Sequence, residues 1–123
     1  MLLPGAMVRL AVSLVASGRG PKPLVHALRF LAWPISLEAD CLGCRVWIEE
    51  SDEFIVRYVE EWATEEAMRL RVRSERFTRL LEVFESSQKT PSVQFDFVSE
   101  TRGLDYVAEV RNRDGMLETP PRV

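Results

Sequence analysis

A chain of 123 residues with 46% hydrophobic and 9% aromatic content can fill one core but hardly two, so a single domain is expected. Its 16 basic and 19 acidic residues give a net charge of -3, without the basic excess that a phosphate-backbone binder needs. Nucleic acid is therefore excluded as an expected partner, and charges of both signs are interspersed as on an ordinary solvated surface.

The apolar opening lacks the basic segment of a secretion signal, and Arg9 interrupts it, so it reads as a strand. No run approaches the roughly 20 apolar residues of a membrane helix, and a soluble cytoplasmic protein is expected. Alternation from Met7 to Val15, with β-branched Val8, Val12 and Val15, predicts the first strand. The glycines and prolines from Ser17 to Pro23 predict a loop. Leu24, Leu28, Leu31 and Ile35 then share one helical face, in a helix expected to kink or stop near Trp33 because Pro34 lacks a backbone donor. An irregular segment should follow to Gly43.

Cys44, Val46 and Ile48 alternate with Arg45, Trp47 and Glu49, and Phe54 to Trp62 continues the pattern, predicting an antiparallel hairpin. Thr64 suits a helix N-cap, with Glu65 and Glu66 at the positive end of the dipole, and Ser74 suits the cap of a fresh helix. That helical region should end before Pro91. Val93, Phe95 and Phe97 predict a fourth strand, and Leu104, Val107 and Ala108 a short closing helix. The domain is thus expected over 7–111, with a disordered tail over 112–123.

The order β-α-β-β-α-β predicts an α+β, ferredoxin-like split βαβ fold: a four-stranded antiparallel sheet with its helices on one face. The first and third strands carry apolar residues on both faces, Leu10, Val12 and Leu14 against Met7, Ala11 and Val15, and Phe54, Val56 and Tyr58 against Ile55 and Val59. Helices can cover only one face, so a homodimer through the other is expected.

Candidate chemistry is sparse. Cys41-Leu-Gly-Cys44 has the spacing of zinc or redox pairs, but no other cysteine exists and His26 is the lone imidazole, so reduced, partly buried thiols and no metal are expected. No phosphate-cradling glycine motif occurs. Glu60 should share a face with Tyr58 and Trp62, where a carboxylate among aromatics is a possible general base or, equally, an ion-paired charge. Arg69, Arg73 and Arg76 share a helical face suited to solvent, whereas Arg71 departs from it toward the cleft between helix and sheet.

Leu31 to Pro34, Cys41 to Arg45, Glu60-Glu61-Trp62, Arg73-Ser74-Glu75-Arg76-Phe77, Leu80-Leu81, Glu85-Ser86, Pro91 and Glu100 to Leu104 together resemble the antibiotic-biosynthesis-monooxygenase domain, including quinol monooxygenases. The resemblance covers most of the chain. It implies a dimeric α+β barrel and, from characterised members, oxygenation of phenolic or quinol-like substrates by dioxygen with no metal or flavin cofactor. It places Glu60 and Arg71 as catalytic candidates and Tyr58, Trp62 and Phe77 as substrate-binding candidates. Arg71 stands where many members have histidine, nine residues after the strand-end tryptophan, and could stabilise a phenolate. The haem-degrading set of Asn, Trp and His is replaced by Ser13, Arg71 and Leu81, which disfavours that activity. The leading expectation is a cofactor-independent monooxygenase; the alternatives are a non-catalytic dimeric small-ligand-binding module and a purely structural domain.

Overall fold

The computed structural model describes residues 7–51 and 53–117. The hydrophobic alternation becomes β1 (Met7–Val15), in which Val8, Leu10, Val12 and Leu14 are buried and their neighbours half-exposed. β1 pairs antiparallel with β3 (Ile55–Trp62) on one side and with β4 (Ser92–Val98) on the other, and β3 pairs with β2 (Cys41–Glu49). The sheet order is β2-β3-β1-β4, the arrangement expected of the split βαβ fold.

Helices α1 (Lys22–Ser36), α2 (Glu65–Arg73) and α3 (Glu75–Phe84) supply the rest of the core. Leu28 and Ile35 of α1 and Phe77, Leu80 and Phe84 of α3 pack with the even-numbered residues of β1 and β3. Both anticipated caps form: Thr64 Oγ1 accepts from the Ala67 amide at 3.1 Å, and Ser74 Oγ from the Phe77 amide at 3.2 Å. Ser74 closes α2 and opens α3 with extended backbone (φ -76°, ψ 157°), so the chain turns sharply between them.

Three boundaries differ from expectation. α1 runs through Pro34 to Ser36, because a proline in the last turn forfeits a single amide bond while Ile35 beyond it is buried in the core. β2 begins at Cys41 rather than Cys44, since a bulge absorbs Leu42: Cys41 lies opposite Trp62, Gly43 opposite Glu61 and Cys44 opposite Glu60. The closing helix α4 (Leu104–Leu117) is longer than foreseen and runs through half of the segment expected to be disordered; residues 118–123 lie outside the described residues. Every side chain of α4 from Leu104 to Glu109 is exposed.

The face of the sheet away from the helices is mixed. Met7, Ala11, Val15 and Ile55 are half-exposed there and Val59 is buried, flanked by the ion pairs Arg9–Glu61 at 2.8 Å and Arg57–Glu49 at 2.8 Å. Among the described residues no helix is long and apolar enough to cross a membrane.

Candidate active site

The register places Val56, Tyr58, Glu60 and Trp62 of β3 on the helix-facing side, beside Leu14, Val12, Leu10 and Val8 of β1. Glu60 is fully buried there. A buried carboxylate needs compensating donors, and it has them. Its Oε1 accepts from Trp62 Nε1 at 2.9 Å and from Arg71 Nε at 3.0 Å; its Oε2 accepts from the Tyr58 hydroxyl at 2.5 Å and from Arg71 Nη2 at 2.7 Å. Four donors thus fill the lone-pair positions of one carboxylate.

Arg71 reaches Glu60 because α2 crosses over the end of β3 with this residue on its inner side. Only 4% of it is exposed, while Arg69, Arg73 and Arg76 face solvent. Its Nε–Nη2 edge forms the bidentate pair with Glu60, and its Cζ lies 5.1 Å from the centre of the Phe77 ring. The opposite corner, Nη1, is the single buried side-chain polar atom without a hydrogen-bond partner among the described residues. Burial acts to lower the guanidinium pKa, but the hydrogen bonds and charge of Glu60 outweigh it and hold it above the ordinary value. Burial, reinforced by the Glu60 charge, pushes the Tyr58 phenol well above its ordinary range, so it stays a neutral donor.

All five candidate residues, Glu60, Arg71, Tyr58, Trp62 and Phe77, therefore meet in one cluster. It is packed, not hollow. A cleft of about 190 Å³ adjoins it, lined by Trp62, Ala67, Leu70 and Arg71, by Ser74 at the α2–α3 turn, and by the loop Glu38-Ala39-Asp40. Arg76 and Glu38, also in its lining, pair at 4.0 Å. A larger groove, about 800 Å³, lies elsewhere between α1 and α3 and is lined in part by His26. It is open and makes no contact with the cluster, so its size carries less weight than the convergence of polar groups at Glu60.

The sequence marks Ser74 only as a cap and Cys41 and Cys44 only as partly buried thiols, yet all three adjoin the cluster. Ser74 donates from its hydroxyl to the Arg71 carbonyl at 2.6 Å while capping the amide of Phe77, and so ties two cluster residues together; the signal was the Ser-x-x-Phe spacing. The bulge at Leu42 turns both Cys41 and Cys44 toward the cluster, opposite Trp62 and Glu60. Among the described residues, no three His, Cys, Asp or Glu side chains converge as a metal-binding group.

No family model matches the chain, and no curated protein matches it as a relative. Solved structures do match. A candidate antibiotic biosynthesis monooxygenase from Deinococcus radiodurans superposes with a TM-score of 0.68 at 18% identity, covering 78% of this chain and 96% of its own. Another, from Caulobacter crescentus, gives 0.67 at 14% identity over 79% and 93%. A structure named as an antibiotic biosynthesis monooxygenase gives 0.62 at 17% identity over 76% and 99%. This chain has the antibiotic-biosynthesis-monooxygenase fold. At such identities the likeness extends to the backbone fold alone.

Proposed function

We propose that the chain is a cofactor-independent monooxygenase acting on a small aromatic or quinol-like molecule, as a homodimer joined through the open sheet faces. The observation that carries this reading is that Arg71, buried and permanently charged, has one nitrogen, Nη1, without a hydrogen-bond partner and together with Trp62 lines a small cleft. A single aromatic ring suits a space of that size, stacked on the indole, with its phenolate oxygen paired to the guanidinium. Stabilising the phenolate makes the ring electron-rich enough to reduce dioxygen itself: a quinol and dioxygen give a hydroxyquinone and water, and the substrate supplies all four electrons. The protein's part is to orient the ring, favour its anion and exclude water.

Of the two parts that the sequence leaves open to Glu60, a general base or an ion-paired charge, we favour the second. Its lone pairs are filled by Tyr58, Trp62 and Arg71, so its role is to position Arg71 and hold its charge. The same saturation favours a second reading, a dimeric module that binds a small anionic aromatic without turning it over.

Dioxygen uptake with a panel of hydroquinones distinguishes the two. Under the monooxygenase reading at least one quinol is consumed with equimolar dioxygen, and Arg71→Lys, which keeps the charge but loses the fork, lowers kcat/KM by about 100-fold, of the order seen when one anion-stabilising donor is lost. Saturable binding without oxygen uptake would establish the binding module, and full turnover by the Arg71 variant would remove the assigned role.

A further inference from the structure

In a regular strand, residues three apart point to opposite faces. Cys41 and Cys44 escape this rule because the bulge inserts Leu42 between them, and both thiols come to the helix-facing side with their Sγ atoms 3.8 Å apart. Both are free and partly buried. They are also cross-strand neighbours of the cluster: Cys41 is paired with Trp62 and Cys44 with Glu60. We propose that Cys41 and Cys44 form a reversible disulfide by exchange with low-molecular-weight disulfides, and that this bond is a redox control on the Glu60 cluster.

The sulfurs need to close from 3.8 Å to roughly 2.05 Å, a movement that a bulge accommodates better than a continuous ladder because the inserted residue has no pairing partner to lose. The exchange balances as follows. The Cys41 thiolate attacks one sulfur of a small disulfide and expels a thiolate, which takes up the proton that Cys41 released. The Cys44 thiolate then attacks the Cys41 sulfur of the mixed disulfide and expels the second small thiolate, which is protonated in turn. Two protein thiols are oxidised, and one small disulfide is reduced to two thiols.

Burial pushes both thiols up, Cys44 further than Cys41 because it lies deeper and beside the Glu60 charge, so Cys41 is the attacking group and the exchange is slow at neutral pH. For the same reason the reduced state gains nothing from a stabilised thiolate, and the disulfide, once formed, persists under mildly oxidising conditions. Closing the pair displaces Cys44 from beside Tyr58 and Glu60, which is how oxidation reaches the cluster. None of this depends on the oxygenase reading, because the readouts are thiol stoichiometry and tryptophan emission.

The test equilibrates the whole chain in a series of reduced and oxidised glutathione ratios, traps free thiols by alkylation and weighs the intact protein. The doubly alkylated form should give way to an unalkylated form two hydrogens lighter than the unmodified dithiol chain, reversibly, with a rate that rises about tenfold per pH unit between about pH 7 and 9. Cys41→Ser should abolish the transition. In a chain carrying Trp33→Phe and Trp47→Phe, the emission of Trp62 should change with the same midpoint. Two free thiols throughout the series, a glutathione adduct that goes no further, or a disulfide-linked dimer as the product would overturn the site; Trp62 emission blind to the disulfide would overturn the coupling.

Discussion

Glu60 and Arg71 bring a full pair of charges into a site from which water is excluded, and such a pair is held by its partners, not by its intrinsic worth. Removing one member strands the other, at a cost of about 3–5 kcal/mol for a buried pair. Arg71→Met should therefore destabilise the fold by about that much. Glu60→Gln, which still accepts from Tyr58 but leaves the guanidinium unneutralised, should be of similar severity. The double variant should cost less than the sum of the two by about 2 kcal/mol, because neither stranded charge remains. Urea unfolding of the four proteins measures this coupling, and strict additivity would mean that the 2.7 Å contact contributes little. Period two in β3 and the odd placement of Arg71 on its helix made both residues legible in the sequence. That their neighbours fill every lone pair of the carboxylate was not, because a carboxylate among aromatics reads the same whether it is open to substrate or saturated by four donors.

At the scale of elements, the helix starts were legible because capping is local: Thr64 and Ser74 each accept from an amide three residues on. Less visible was the direction of the chain after α2. Ser74 decides it, as the last bond of one helix and the first of the next, and its hydroxyl also holds the Arg71 carbonyl. Ser74→Ala loses the cap, at about 1 kcal/mol of stability. It should also loosen the fork between Arg71 and Glu60, which Ser74→Thr should retain. Thermal melts read the first effect, and affinity for a phenolic ligand in the adjoining cleft reads the second; a stability loss with unchanged affinity would confine Ser74 to capping. The bulge in β2 was hidden for a different reason. Alternation could be recognised only from Cys44 onward, and an inserted residue leaves no mark in composition, only in register. In α1 the local rule expected a kink or stop near Trp33, and core burial of Ile35 carried the helix on to Ser36.

For the whole molecule, the face of the sheet turned from the helices poses the remaining question. Strand order and the single helix layer were legible from the sequence of elements, and so was the two-faced apolar character of β1 and β3. One chain leaves Met7, Ala11, Val15 and Ile55 half-exposed on that face, with Ala11 near its middle, between Val59 of β3 and Gln94 of β4. A second copy related by a twofold axis would bury this strip, and the flanking pairs Arg9–Glu61 and Arg57–Glu49 would form its polar rim. Ala11→Arg puts a long charged side chain into the centre of that interface without touching the Glu60 cluster, which occupies the other face. Sedimentation should find the unaltered chain as a dimer at micromolar concentration and the variant as a monomer with its secondary structure intact. A monomer in both cases would mean that the half-exposed strip is simply solvated, and the dimeric reading would fall while the cluster chemistry stood.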